Sequence, residues 1–471
     1  MKKLTKALGL SVGVVLAGGL ALSGCATVGN IRNNDSDILF NGGSLANVGG
    51  YLYFGNAFSD PSAFSGDGDY KNASAISYLS RLNTNIELSA KGKDYTPKGV
   101  QKVVGGPVEN SKSFTFVLGG YVYYVVPKRE ESVNSETKKS EHNYTYSSLY
   151  KVKLNGDGAT KIYTTTAEIS EIQALKYENK YYIVLLAGTS LVKISLSGNA
   201  GATVIADNVT SVALPKTYQK NNLSTSLEWN GDIIFTTARE GNENITGSTI
   251  KKAKINGDVT TLTSTTSTIS FVGRQKDKAF YTFSGETFMY DTNENITLGA
   301  TRLISATASE IYTVATENGD KGFVYKANDR LYLADMNGNQ VGTSFVLKDE
   351  NNSDITSYKI LTVCGRTIYY LTESGIFRAS IQNFVNSLSN PTISCSTIVT
   401  MSGIKNEKAF AFDGEYVYFY ANLQNIETED EKEAEKLNGD TANYYLYRAD
   451  VNRENEYQLL SKTKVAARNS K

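Results

Sequence analysis

Residues 147–164 read SSLYKVKLNGDGATKIYT: an aromatic-bearing, strand-like run, a turn at Asn155-Gly156-Asp157-Gly158, and a second strand-like run. Shorter echoes recur as RLYLADMNGNQVGTSF (330–345), TIKKAKINGDVTTLTS (249–264) and GIFRASIQN (375–383). Working outward, another run rich in Tyr, Val, Ile and Phe precedes each echo and follows a tight turn. These runs are YLYFGN (51–56), YVYYVV (121–126), KYYIVLL (180–186), DIIFTT (232–237), AFYTF (279–283), FVYKA (323–327), TIYYLT (367–372) and YVYFYAN (416–422). Their turns use Gly, Asn and Asp, which accept the positive φ that hairpins demand. The runs themselves suit a pleated, partly buried surface.

Between Gly49 and Asp413 the eight turn markers stand 52 residues apart on average. Each unit therefore holds about four antiparallel strands. A four-stranded sheet cannot bury both faces alone, so neighbours must stack, and a radial ring leaves only short edges. The expected fold is all-β, a β-propeller of eight four-stranded antiparallel blades; tandem sandwiches or a β-solenoid are the competing architectures. No Pro/Gly/Ser-rich linker after residue 44 marks off separate domains.

The Tyr-x-Tyr strand, the Leu-Tyr-Lys/Arg strand and the Asn/Asp-Gly turn, as in YVYYVV, SSLYKVKL and NGDG, resemble the uncharacterised propeller-repeat domains of Gram-positive surface lipoproteins. The resemblance covers nearly all of the chain after residue 44. It implies an extracytoplasmic location and a ligand-binding or scaffold role, and it carries over no catalytic set. Other propeller classes fit worse. Trp229 is the single tryptophan, no Trp-Asp repeat or sialidase-type Asp box occurs, and the kelch-like Gly-Gly-Tyr appears only at 49–51 and 119–121.

The N-terminus reads MKKLTKALGLSVGVVLAGGLALSGC. Lys2, Lys3 and Lys6 precede an apolar run from Ala7 to Leu22 that is short and glycine-rich, as in a secretory signal. Leu22-Ser23-Gly24-Cys25 resembles the bacterial lipobox, which implies a diacylglyceryl group on Cys25 and a new N-terminus there. The expected organisation is a signal peptide (1–24), a lipidated polar tether (25–43), one propeller (44–462) and a polar tail (463–471). Two acyl chains anchor stably where one holds marginally. The expected location is the extracytoplasmic face of the cell membrane: the cell surface in a monoderm, the periplasmic side or outer membrane in a diderm. Without the three signal lysines, 45 basic side chains face 48 acidic ones. No basic face suggests nucleic acid.

Three loops between the second and third strands of a unit are long: 57–75, 127–147 and 422–443. Ring closure makes units eight, one and two neighbours, so these insertions converge on one sector, beside the connection at 91–112. Loops this long are usually functional or disordered. Tyr70, Tyr95, Tyr144 and Tyr146 are the candidate residues for stacking on sugars or peptides. Asp67 and Asp69, in SGDGD, have a spacing suited to Ca²⁺ but lack a bidentate acid, and a glycine-rich surface turn is the default reading.

His142 is the only histidine, which rules out a conventional Ser-His-Asp triad, a Cys-His pair or a multi-histidine metal site. No phosphate loop or dinucleotide fingerprint occurs, and no cofactor is expected. Cys364 and Cys395 fall on the inner and outer strands of unit seven. Three strand spacings put them roughly 14 Å apart, beyond the Cα limit of about 7 Å for a disulfide. The expected function is a membrane-anchored binding or scaffold propeller with a protein or glycan ligand. The alternatives are a carbohydrate-active enzyme using carboxylates near the channel or a structural subunit of an envelope complex.

Overall fold

The computed structural model describes residues 39–40, 45–48, 51–56, 77–83, 101–104, 115–133, 135–136, 140–178, 180–196, 201–214, 230–239, 246–275, 277–319, 321–349, 351–404, 410–412, 414–421 and 443–466. A short strand β1 (Leu39–Phe40) comes first. Blade 1 is β2 (Leu45–Val48), β3 (Tyr51–Asn56), β4 (Ser77–Asn83) and β5 (Gln101–Val104). Blade 2 is β6 (Thr115–Leu118), β7 (Tyr121–Val133), β8 (Ser140–Lys153) and β9 (Thr160–Thr164). Blade 3 is β10 (Ile169–Tyr177), β11 (Lys180–Ala187), β12 (Ser190–Ser195) and β13 (Ala202–Ala206). Blade 4 is β14 (Val209–Ala213), β15 (Asp232–Ala238), β16 (Ser248–Lys254) and β17 (Val259–Thr265).

Blade 5 is β18 (Ile269–Gln275), β19 (Lys278–Phe283), β20 (Glu286–Asp291) and β21 (Thr301–Ile304). Blade 6 is β22 (Ala308–Ala315), β23 (Lys321–Ala327), β24 (Arg330–Asp335) and β25 (Gln340–Phe345). A small hairpin, β26 (Leu347–Lys348) and β27 (Asp354–Ile355), leads to blade 7. That blade is β28 (Lys359–Cys364), β29 (Thr367–Thr372), β30 (Gly375–Gln382) and β31 (Thr392–Thr400). Blade 8 is β32 (Ala411–Phe412), β33 (Tyr416–Ala421), β34 (Asn443–Asp450) and β35 (Tyr457–Ala466).

Each blade is an antiparallel meander in chain order, and the protein is an eight-bladed β-propeller. First strands of neighbouring blades lie side by side: β2 with β6 and β32, β14 with β18, β18 with β22, and β22 with β28. They ring the axis. A separate apolar core fills each interface between successive blades, and the eighth closes the circle. Leu45, Leu52 and Phe54 of blade 1 there meet Tyr418, Tyr420 and Leu446 of blade 8.

This packing explains the sequence pattern. Second strands are covered on both faces, so β11 (KYYIVLLA) and β15 (DIIFTTA) are buried over most of their length and read as continuous apolar runs. Outermost strands such as β17 (VTTLTST) are half-exposed and threonine-rich. Gly119 and Gly120 adopt φ of 58° and 78° in the first turn of blade 2, a conformation that glycine takes at no steric cost.

Strand direction fixes two faces. The turns after the first and third strands of every blade open on one, called here the turn face. The loops after the second strands, and the links between blades, open on the other, the insertion face.

Four features depart from the sequence reading. The insertion at 127–147, expected as a loop, is mostly paired strand, with Pro127 opposite Tyr146, Arg129 opposite Tyr144 and Val133 opposite Ser140. The outermost strand of blade 1, β5, lies inside the segment 91–112 that read as an inter-unit connection. Within the expected tether, Leu39 pairs with Val117 and Phe40 with Phe116, which makes blade 2 five-stranded. The last strand runs to Ala466.

Candidate functional site

The insertion face carries the features able to meet a ligand. From its rim rises a two-stranded arm, the extension of β7 and β8 beyond Val126. Seven residue pairs, Pro127–Tyr146 through Val133–Ser140, lie past the bulge that ends the blade proper, a rise of roughly 23 Å. Val133 at its end is 66% exposed. Of the sequence-predicted binding residues, Tyr144 and Tyr146 lie on this arm, and His142 stands opposite Glu131. Asp67, Asp69, Tyr70, Tyr95 and Cys25, and the insertions at 57–75 and 422–442, lie outside the described residues.

Across the ring, blades 3 to 6 present a second element that the sequence reading missed. Their first strands begin with a buried apolar residue followed by an exposed hydroxyl: Ile169-Ser170, Val209-Thr210, Ile269-Ser270 and Ala308-Ser309. In blades 3, 4 and 6 a β-bulge follows at once, between Ile169 and Glu171, Val209 and Ser211, and Ala308 and Glu310. Bulges re-aim side chains next to sites. Glu171, exposed, and Glu310, half-buried, follow these bulges at the insertion-face ends of β10 and β22. The repeated apolar-hydroxyl pair was a readable signal, hidden by its brevity.

Hydrogen bonds hold the mouth formed by these strand ends. Thr210 Oγ1 lies 2.9 Å from Thr236 Oγ1, and Ser211 Oγ accepts from the Phe271 amide at 2.9 Å. Tyr312 Oη donates to Glu310 Oε2 at 3.1 Å. Beside it Lys326 Nζ sits 4.0 Å from the Tyr358 ring centre and donates to the Tyr358 carbonyl at 2.8 Å. Burial pushes the Tyr358 phenol well above its ordinary range, and the Glu310 and Asp329 carboxylates push it further. Tyr358 is therefore a neutral hydrogen-bonding group at any physiological pH.

Chemically, the mouth offers hydroxyls, carboxylates and a cation for hydrogen bonding. With neighbouring first strands roughly 8–10 Å apart, Glu171 and Glu310, three blades from each other, are separated by roughly 20 Å across the channel. A glycosidase pair needs about 5–9.5 Å. Among the described residues no group of three or more His, Cys, Asp or Glu side chains is placed to hold a metal. Cys364 and Cys395 are half-buried on the inner and outer strands of blade 7.

No protein-family model and no curated protein matches the chain. Solved structures do. The tricorn protease is 10% identical with a TM-score of 0.35, and the match covers 88% of this chain and 44% of that one, so this chain spans less than half of the protease. The β-propeller domain of the trilobed protease from Pyrococcus furiosus is 12% identical, with a TM-score of 0.35 over 73% of this chain and 95% of that one. An oligogalacturonate lyase in complex with manganese is 8% identical, with a TM-score of 0.37 over 69% and 97%.

Proposed function

We propose that this propeller is a lipid-anchored extracytoplasmic lipoprotein that binds a protein or glycan ligand on its insertion face. The observation that carries the reading is the paired arm of blade 2, which projects beyond the ring and bears Tyr144 and Tyr146. Among the described residues no third strand pairs with this extension; a strand pair by itself is marginal in water, and its reach suits contact with another molecule. The hydroxyl-lined mouth of blades 3 to 6 supplies a second contact zone.

The test replaces residues 127–146 with an Asn-Gly turn joining Val126 to Ser147. Envelope-extract pull-downs and a glycan array are run on both proteins, with thermal unfolding as the folding control. Binding that disappears from an intact ring supports the reading; unchanged binding moves the site off the arm. Separately, Cys25→Ala is expected to shift the protein from the membrane to the soluble fraction.

A further inference from the structure

We infer that the turn face is the surface turned toward the membrane, because β1, the first described strand, begins on that side and the arm of blade 2 leaves from the opposite face. The inference rests on the lipoprotein reading above and adds an orientation to it. Its basis is the direction of β1. That strand is antiparallel to β6, with Phe40 opposite Phe116 and Leu39 opposite Val117. Since β6 runs toward the Gly119-Gly120 turn, β1 runs away from it. β1 therefore begins on the side of the turn face. β1 also lies against β2, at the inner edge of the ring, so this start is near the axis rather than at the rim.

Reach decides whether the chain can double back. Thirteen residues, 26–38, separate Cys25 from Leu39, and at about 3.5 Å each they span at most ~45 Å. To bring the insertion face to a bilayer, that segment would have to cross from the axis to the rim and then climb the side. Three strand spacings plus the channel radius make the first leg roughly 25 Å, and six-residue strands make the second roughly 20 Å. The full reach is then spent before the arm, ~23 Å tall, is accommodated between disc and lipid. Only the turn face, or at most the flank, can sit at the surface. The arm and the hydroxyl-lined mouth point away from the lipid, toward whatever approaches from outside.

The test uses the full chain, exported with its own signal, in vesicles of phosphatidylethanolamine and phosphatidylglycerol that contain a rhodamine lipid. In a Cys364→Ala, Cys395→Ala background, a donor dye is placed through Asp157→Cys, at the third-strand turn of blade 2, or through Ser135→Cys, at the arm tip. Vesicle flotation is measured on the same samples. Floating protein whose donor at 157 is quenched at least several-fold more than the donor at 135 is the expected result. Floating protein with equal or reversed quenching overturns the orientation and leaves the anchor standing. Protein that fails to float with Cys25 intact overturns the lipoprotein reading and the orientation with it.

Discussion

Tyr53 and Arg81, cross-strand partners in blade 1, donate to one and the same acceptor, the carbonyl oxygen of Leu154 in blade 2, each at 2.7 Å. Two donors from one blade thus converge on the third-strand turn of the next. Burial pushes the Tyr53 phenol up to about 12, with Arg81 acting in the opposite direction. A raised folded value means that the neutral phenol is the form the fold favours. Its contribution is complete below about pH 10 and is lost as pH rises through about 12. Tyr53→Phe is expected to lower stability by about 1–2 kcal/mol at pH 7. Between pH 10 and 12 the wild-type protein should lose stability faster than the variant, as denaturant midpoints across that range will show.

The Arg81 arrangement recurs. Lys193 donates to the Ile255 carbonyl at 2.6 Å, Lys252 to the Thr292 carbonyl at 2.9 Å, and Arg378 to Asn452 Oδ1 at 3.3 Å. In each case a third-strand cation of one blade reaches the third-strand turn of its neighbour. Lys193→Met is expected to cost about 1–3 kcal/mol. Blade 5 has Met289 at this position, packed against Phe280 and Phe323 at the interface with blade 6. Met289→Lys should be the milder change, within about 1 kcal/mol, because the end of the Met289 side chain already lies beside Gly338 in the third-strand turn of blade 6, the turn that receives the cation in the other blades. Urea unfolding of the two variants compares them directly.

Arg274 is the largest fully buried side chain among the described residues. It donates to the Asp232 carbonyl, to Asn230 Oδ1 at 3.1 Å and to Thr292 Oγ1 at 3.3 Å, tying blade 4 to blade 5. Burial lowers its guanidinium to about 10, opposed by Asp232 and Asp277. Arg274→Met removes the guanidinium bond to the Asp232 carbonyl and leaves Asn230 Oδ1 with the Asp232 amide and Thr292 Oγ1 with Asn230 Nδ2, and is expected to cost about 2–3 kcal/mol. Arg274→Lys should not restore it, since one ammonium cannot span the three directions. Thermal unfolding of both variants is the measurement.

Gly375 opens the third strand of blade 7 at φ 152°, where an added Cβ would lie 2.0 Å from the Val399 carbonyl oxygen. Gly375→Ala is expected to destabilise by about 3 kcal/mol or more, combining backbone strain with a displaced strand. Gly365, at φ 59° with open space around it, serves as the control. Gly365→Ala should cost only the left-handed penalty of about 1–2 kcal/mol. Chemical denaturation of the pair separates the two effects.

The ring was readable because its constraint is repeated. A second strand covered on both faces must be apolar throughout, and KYYIVLL, TIYYLT and YVYFY all announce it. The third-strand cation was visible as Leu-Tyr-Lys/Arg, but its partner sits in the next blade, 62 residues on for Lys193 and Ile255, and no local pattern reports that. The arm was misread because PKREESV and SEHNYTY lack the apolar alternation that marks a half-buried strand. β1 has two residues, too few for any period, and β5 was concealed in a segment judged by its length. At the site, single Ser and Thr residues acquire meaning only once the ring sets four of them around a common axis.

Among the described residues blade 8 meets blade 1 through packed side chains, with no strand from one terminus completing the sheet of the other. Leu52 and Tyr418, in the same core, are 366 residues apart in the chain. At ordinary ribosomal speeds of about 5–20 residues per second, roughly 20–70 s pass between making the first and the second. Throughout that interval the greasy flank of the earliest blade has no cover of its own. Closure is thus an all-or-nothing late event, and a nascent or prematurely terminated chain depends on something else, a holdase or an unfolded state, to keep that flank from sticking to its neighbours.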